Sequence, residues 1–204
     1  MKSQAQWEQP GVVQRYANRR HQEFELVRSE RHFLPAAFQG MRNMLDVGCA
    51  SGGMFNMLTQ MGMTIPYTGL DFSQPSIELA QKRYGHLASF IHADAHSLPL
   101  ASVSFSLVHA RGLLPHIGDW QVVMDELLRV MRKRVLVDIR FASAPSRSNY
   151  SIAVTADAVD FYTVSQNDFY DYLPRYLTVK RFDQAYHHAG TDQDLTESTM
   201  LIEL

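Results

Sequence analysis

The sequence predicts an α/β protein with a Rossmann-like, doubly wound and mostly parallel sheet of seven strands, which ends in an antiparallel strand pair. Short apolar segments alternate with helical ones from about residue 42 to residue 141, which is the order of βαβ units. These segments are rich in Val, Leu and Ile, as expected where both faces of a sheet are covered. Two further extended segments, 176–188 and 198–204, are separated by a polar turn and predict the antiparallel pair.

The elements are expected in a fixed order along the chain. Residues 12–39 read as helical with a break at Pro35, and a first strand closes at Leu45. The basic run MRKR (131–134) is assigned to a helix end, where the dipole favours cations. The remaining elements are a helix from Gly52 to Met61, strands at 66–73, 88–95 and 105–111, a helix that Ser73 caps, a helix at 118–133, a strand at 134–141 and a helix at 165–173.

Length and charge favour one domain and exclude several partners. The chain has 204 residues, a formal net charge of −2 and one cysteine, so neither nucleic acid nor an anionic membrane is an expected partner. No apolar run approaches the ~20 residues that span a bilayer, and no secretory signal is evident, so a soluble, cytoplasmic protein is expected. We expect a single domain with N-terminal cap helices (1–40), a cofactor-binding core (41–141) and a substrate-side segment with the terminal hairpin (142–204).

A turn rich in small residues, LDVGCASGG (45–53), lies between the first strand and the next helix. Gly48 and Gly52 lack side chains, so a ligand can approach the backbone, and the helix N-terminus suits a carboxylate, a phosphate or a ribose. About 20 residues further on, Asp71 ends the second strand, where an acid can accept hydrogen bonds from both ribose hydroxyls. Phe72 follows it and can lie against an adenine face.

The third strand ends in HADAHSLPL, where the Asp94 carboxylate can accept a hydrogen bond from an adenine amino group and the Ala95 N–H can face a ring nitrogen. A competing hypothesis is a metal site, because His92, Asp94 and His96 alternate along this segment. We disfavour the metal, because the alternation should end before His96 and no further ligand is evident.

A nicotinamide-dependent oxidoreductase is the alternative enzyme class. Gly48, Ala50 and Gly53 would stand in for G-x-G-x-x-G, with an acid at a suitable distance. The Asp94 segment and Asp46 argue against it, as does the absence of a Tyr-x-x-x-Lys proton donor in YTVSQ (162–166).

Four segments in register carry a family resemblance. They are LDVGCASG, YTGLDFSQPSIELAQKR, HADAHSLPLASVSFSLVHARGLLPHIGD and DELLRVMR, which run in order from about residue 40 to residue 140. Together they resemble the class I S-adenosylmethionine-dependent methyltransferases, and most closely the small-molecule branch called methyltransferase type 11. The resemblance implies S-adenosyl-L-methionine as cofactor and methyl transfer to a small molecule by in-line displacement.

The resemblance also implies roles for individual residues. Asp46 would order the loop and reach the methionine amino group, Asp71 would hold the ribose, and Asp94 would read the adenine. The implied cofactor-binding residues are Tyr16, Arg20, Asp46, Gly48, Cys49, Ala50, Gly52, Asp71, Phe72, Asp94, Ala95, Ala110 and Arg111.

Ala50 departs from the family pattern, which has a glycine at its position. One added methyl group is compatible with binding if φ is negative, so a negative φ is the expectation here. Cys49 is interpreted as a small residue whose backbone faces the ligand.

Methyl transfer needs a base only when the nucleophile carries a proton that must leave. His116 is the candidate catalytic residue, because it lies in LLPHIGD (113–119), where the substrate of such enzymes often enters. His109 and Asp119 lie nearby, but a packed histidine and a helix cap are the ordinary interpretations of these two. A cofactor-binding module without catalytic activity stays open as an alternative, since no base is compelling.

Overall fold

The computed structural model of this chain describes residues 6–18, 26–142, 150–153, 160–187 and 194–204. Its helices are α1 (Pro10–Ala17), α2 (Arg28–Phe38), α3 (Gly53–Gln60), α4 (Gln74–Tyr84), α5 (Trp120–Val130) and α6 (Gln166–Tyr172), with a 3-10 turn at Leu114–His116. Its strands are β1 (Met44–Val47), β2 (Tyr67–Asp71), β3 (Ser89–His92), β4 (Phe105–Ala110), β5 (Met131–Ala142), β6 (Tyr150–Ala153), β7 (Asp160–Thr163), β8 (Thr178–His187) and β9 (Asp194–Glu203). Among these described residues, every helix is too short or too polar to cross a bilayer.

Seven strands form one sheet in the order β3-β2-β1-β4-β5-β9-β8. Strands β1 to β5 run parallel, whereas β9 is antiparallel to both β5 and β8. The predicted fold class is therefore confirmed. Strand order reverses between β1 and β4, and ligands of such sheets bind at this reversal, outside the carboxyl ends of the strands.

The segment after β5 holds a second, two-stranded sheet that the sequence did not predict. Strands β6 and β7 pair antiparallel, and Val164 continues β7 as a single bridge to Phe141 of β5. This bridge attaches the small sheet to the carboxyl end of β5, beside the strand ends where a ligand is expected.

Pro35 does not interrupt its helix, so the predicted break there is wrong. Helix α2 runs from Arg28 to Phe38 through this residue. A proline inside a helix removes one backbone hydrogen bond and costs ~3 kcal/mol or more. Phe33, Leu34 and Ala37 of the same helix are buried, and burial of each large apolar side chain contributes ~1.5–3 kcal/mol. Packing of this face therefore outweighs the lost bond.

The basic run MRKR forms the start of β5 rather than the end of a helix, so that assignment is also wrong. Helix α5 ends at Val130, and Met131 already pairs with Phe105 of β4. Both Val130 and Met131 are buried, so the chain can enter the sheet without a connecting loop.

Arg134 of this run stabilises the end of a different helix. Its Nη1 donates to the carbonyl oxygens of Ala36, at 2.7 Å, and Gln39, at 2.8 Å, where α2 ends. Its Nε donates to Glu203 Oε1 of β9 at 2.6 Å. A guanidinium at this end of a helix satisfies carbonyls that have no partner within the helix and complements the dipole.

Candidate functional site

The carboxyl ends of β1, β2 and β4 open on a cavity of about 560 Å³, within the ~300–1,000 Å³ range of small-molecule sites. Helix α1, the loop after β3 and the segment that follows β4 complete its walls. Arg83 of α4 attaches α1 to this region, because its Nη1 donates to the carbonyl of Ala17 at 2.9 Å. The cavity therefore lies at the reversal in strand order, where the fold places ligands.

Most of the residues that the sequence singled out line this one cavity. They are Tyr16, Asp46, Gly48, Cys49, Ala50, Asp71, Phe72, Asp94, Ala95, Arg111 and His116. Arg20 lies outside the described residues. Gly52 and Ala110 do not line the cavity.

Gly52 faces the core instead of the cavity. Its φ of 81° is left-handed, and a Cβ placed there would lie 2.9 Å from Tyr84 of α4. Its N–H donates to the carbonyl of Cys49 at 3.0 Å, so it is already engaged. Gly53, the first residue of α3, lines the cavity in its place.

Ala110 belongs to the apolar core, where it is fully buried. Successive side chains of a strand point to opposite faces. His109 and Arg111, its neighbours on either side, line the cavity, so Ala110 points away from it.

Ala50 adopts a positive φ of 46°, so the expectation of a negative φ is wrong. Its N–H donates to Asp71 Oδ2 at 2.9 Å. This hydrogen bond holds the turn after β1 against the end of β2. The left-handed conformation costs an alanine ~1–2 kcal/mol, so the turn is strained at this residue.

Cys49 packs with its side chain in the core. The thiol is buried, and a Cβ placed on Gly69 would lie 2.8 Å from its Sγ. Burial raises the pKa of this thiol well above its usual range, and the nearby Asp71 and Asp46 carboxylates raise it further. The side chain is therefore not a nucleophile.

The carboxylate of Asp71 is held by two backbone donors at the end of β2. Oδ2 accepts from Ala50 N and Oδ1 from Ser73 N, each at 2.9 Å. Burial raises the pKa of Asp71, although these two hydrogen bonds partly oppose the rise. Each carboxylate oxygen has a second lone pair, so the group can still accept from a ligand in the cavity.

Asp94, His96 and Asp119 form a hydrogen-bonded group at one side of the cavity. His96 Nδ1 lies 2.5 Å from Asp94 Oδ1, and its Nε2 lies 3.1 Å from Asp119 Oδ1. Partial burial lowers the pKa of His96, but the hydrogen bonds to the two carboxylates outweigh this effect and raise it. His92 instead lies 2.7 Å from the carbonyl of Phe72, and in the described part of the chain no three ligand-type side chains are arranged to hold a metal.

Asp46 is buried in β1, with both carboxylate oxygens engaged. Oδ2 accepts from the Tyr67 hydroxyl, and Oδ1 lies 2.6 Å from Nδ1 of His109 on β4. If Asp46 contacts the amino group of a ligand as predicted, its carboxylate does so while it is also bound to the imidazole of His109.

Glu30 of α2, which the sequence reasoning missed, is a buried neighbour of two cavity-lining residues. It is fully buried, and its Oε1 lies 3.8 Å from His109 Nε2 and 3.8 Å from Arg111 Nε. An acid on a helix usually faces solvent. The signal was nevertheless present, because Glu30 precedes Phe33, Leu34 and Ala37 at the i+3, i+4 and i+7 spacing of one helix face.

Arg111 connects the buried charges of Glu30 and His109 to a carboxylate on the last strand, β9. Its Nη2 donates to Glu197 Oε1 of β9 at 2.6 Å. The N–H of Gly112 donates to Asp138 Oδ1 of β5 at 2.6 Å. These contacts connect the segment after β4 to two further strands and set the position of Arg111 at the cavity wall.

Aromatic rings from separate parts of the chain line another side of the cavity. The ring of Trp7 lies 5.2 Å from that of Tyr16 and 4.8 Å, edge-on, from that of His116. Tyr162 of β7 lies over Gly118, where an added Cβ would be 3.1 Å from its ring. All four side chains line the cavity, so this side suits an apolar or aromatic molecule.

Comparison with known proteins assigns the central part of the chain. Residues 45–137 match a protein family that is described as 'Methyltransferase domain'. This matched stretch, slightly less than half of the chain, is similar to the methyltransferase domain of the type 11 branch. The predicted resemblance is therefore confirmed, and the methyltransferase domain contains β1 to β4, the first part of β5 and most of the cavity-lining residues.

Curated relatives of the methyltransferase domain are similar over this region. An O-methyltransferase of Pyrenophora dematioidea is 34% identical over 97 residues, which are 45% of this chain and 36% of that protein. The phthiotriol/phenolphthiotriol dimycocerosates methyltransferase of Mycobacterium tuberculosis is 34% identical over 97 residues, which are 46% of this chain and 35% of that protein. The matched region thus spans about a third of the length of these relatives.

Solved structures resemble a larger part of the chain. A SAM-dependent methyltransferase of Methanosarcina mazei superposes with a TM-score of 0.66 at 15% identity, covering 88% of this chain and 98% of its own. The N-terminal domain of EvdMO1, solved with SAH bound, gives a TM-score of 0.67 at 14% identity and covers 86% of this chain and 79% of its own. At these identities the similarity establishes the fold.

Proposed function

We propose that this chain binds S-adenosyl-L-methionine in the cavity and transfers its methyl group to a small apolar molecule that carries a hydroxyl group. The observation that carries the proposal is the position of Asp71, at the end of β2 in a methyltransferase domain, with its carboxylate at the cavity wall. The cofactor would supply an electrophilic methyl group on a sulfonium, and the protein would align the acceptor and exclude water.

The described residues fit such a cofactor in chemistry and arrangement. Asp71 would accept hydrogen bonds from ribose hydroxyls, because backbone N–H groups already orient both of its oxygens. Asp94 would accept from the adenine amino group, held in place by His96. Gly48 lines the cavity with a φ of 78°, a conformation that favours glycine, and Leu113 lies where a Cβ would point.

The acceptor would lie against the aromatic side of the cavity, formed by Trp7, Tyr16, His116 and Tyr162. The name of the Pyrenophora dematioidea relative, an O-methyltransferase, supports an oxygen nucleophile, and we propose a hydroxyl. His116 would take the proton that such a hydroxyl loses. Residues 1–204 would act as one domain in this function, with α1 and α2 as its cap.

Calorimetry tests the cofactor. We expect binding of S-adenosyl-L-methionine and of S-adenosylhomocysteine, and no binding of NADH. Asp71→Asn keeps the shape of the side chain but removes its charge and one acceptor, so it should weaken the cofactor at least tenfold, about 1.4 kcal/mol. Asp171→Asn, on the exposed side of α6, is the matched control. Tight binding of NADH, or an unchanged dissociation constant in folded Asp71→Asn, would overturn the assignment.

Tryptophan fluorescence tests the acceptor side. The chain has two tryptophans; Trp7 lines the cavity, whereas Trp120 is buried against Phe169. A phenolic probe such as 4-nitrophenol should quench Trp7 in the presence of S-adenosylhomocysteine, and the Trp7→Phe variant should lose this response. Mass spectrometry of a panel of phenols and alcohols with the cofactor should then find a methylated product that His116→Gln suppresses. Cofactor binding without product from any acceptor class would favour the non-catalytic module.

A further inference from the structure

His109 is a buried imidazole held between two carboxylates at the cavity wall. Its side chain is 3% exposed, Nδ1 lies 2.6 Å from Asp46 Oδ1, and Nε2 lies 3.8 Å from Glu30 Oε1. The second distance is an electrostatic contact rather than a hydrogen bond. Within the described residues, His109 Nε2 has no hydrogen-bond partner, which is uncommon for a buried polar atom and calls for a functional or structural reason.

The charges that face His109 come from three elements. They are Asp46 on β1, Glu30 on α2 and Arg111 after β4, with the Tyr67 hydroxyl of β2 bound to the far oxygen of Asp46. Burial lowers the pKa of His109, but the charge and hydrogen bond of Asp46 and the charge of Glu30 outweigh it and raise the pKa to about 9. Near neutral pH His109 is therefore an imidazolium, whose charge is offset by the carboxylates of Asp46 and Glu30.

We propose that His109 is a specificity-determining residue, because the proton it carries weakens binding of the cationic cofactor more than binding of the thioether product, whose sulfur is uncharged. This inference rests on the proposed function. S-adenosyl-L-methionine and S-adenosylhomocysteine share their adenine, ribose and amino acid groups and differ by the methyl group and the sulfonium charge. Like charges repel, so a sulfonium in the cavity would bind less tightly to the protein with a protonated His109 than to the protein with a neutral one. An uncharged sulfur would show a smaller difference.

The pH dependence of this discrimination has a defined sign. A cation in the cavity lowers the pKa of His109. At a pH between the pKa of the complex and the higher pKa of the free protein, His109 is therefore protonated more often in the free protein than in the complex. Affinity for the sulfonium compound then rises with pH and levels off above the free-state pKa of about 9. If the bound pKa is lower by one unit, the affinity rises about threefold between pH 6 and pH 8.5, and by more for a larger shift.

The experiment measures the ratio of the two dissociation constants, Kd of S-adenosyl-L-methionine over Kd of S-adenosylhomocysteine, from pH 6 to pH 8.5. The ratio should fall at least threefold in the wild type. His109→Asn places an amide N–H where Nδ1–H meets Asp46 but carries no charge, so its ratio should change less with pH. His86→Asn, at an exposed position outside the cavity, should behave as the wild type. Titration of the ligands themselves is common to all three proteins and cancels in the comparison.

Calorimetry in buffers of different ionisation enthalpy supplies a second measurement on the wild type alone, which does not depend on how the variant folds. At pH 8 the sulfonium compound should release about 0.4 proton more than the thioether for a one-unit shift, after the proton uptake of each ligand's own amino group, measured by titrating the free ligand, has been subtracted. A ratio that has the same pH dependence in wild type and folded His109→Asn, or equal proton release for the two ligands, would overturn the role of His109. Failure of both ligands to bind would instead overturn the proposed function.

Discussion

Replacing Ala50 by glycine should stabilise the protein, which is the reverse of the usual effect of glycine. The residue has a φ of 46°, and this conformation costs an alanine ~1–2 kcal/mol that a glycine does not incur. Glycine gains freedom in the unfolded chain, which offsets ~0.4–1 kcal/mol of that relief. The hydrogen bond from residue 50 to Asp71 is made by the backbone, so the substitution preserves it. The expected net gain is ~0.5–1 kcal/mol.

Thermal and urea unfolding followed by circular dichroism measure this gain without ligand. For a chain of this size the rise in Tm should be ~1–4 °C. Ala36→Gly is the matched control, because Ala36 is exposed on α2 in helical conformation. There the same substitution should cost ~0.5–1 kcal/mol. If both variants lose stability equally, the turn at Ala50 is not strained and the structural account of it is wrong.

Three further predictions concern residues around the sheet. Cys49 should react with Ellman's reagent only after unfolding, because burial raises the pKa of its thiol; reaction of the native protein at the rate of a free thiol would contradict this. Pro35→Ala should raise the free energy of unfolding by ~2–2.5 kcal/mol in urea titrations, because it restores a helix hydrogen bond while losing some restriction of the unfolded chain; a decrease would show that the proline fits without cost. Arg134→Met should lower the free energy of unfolding by ~1–3 kcal/mol, because it leaves carbonyls at the end of α2 without their donor. Arg132→Met, which removes one exposed contact to a loop carbonyl, is its control and should cost less.

Strand ends were the part of the site that the sequence could predict. Asp71 and Asp94 each follow a short apolar run, and parallel strands bring their carboxyl ends to one edge of the sheet. Local patterns therefore placed both carboxylates at the cavity that the structure contains.

Conformations that depend on distant contacts could not be predicted in the same way. The positive φ of Ala50 is supported by a hydrogen bond to Asp71, 21 residues away. Pro35 stays helical because its neighbours pack on a sheet that forms from later residues. The buried charge of Glu30 is matched by His109 and Arg111, which the chain adds about 80 residues later.

The order of strands in the sheet has a consequence for synthesis of the protein. Strand β9 lies between β5 and β8, so β8 has no partner in the main sheet until residues 194–203 have left the ribosome. Until then β5 is an edge strand with unpaired backbone groups, which is the kind of edge that other chains can join. The nascent chain therefore passes through a stage in which the exposed edge of β5 can pair with another chain, and a stop codon before residue 194 would make that stage permanent.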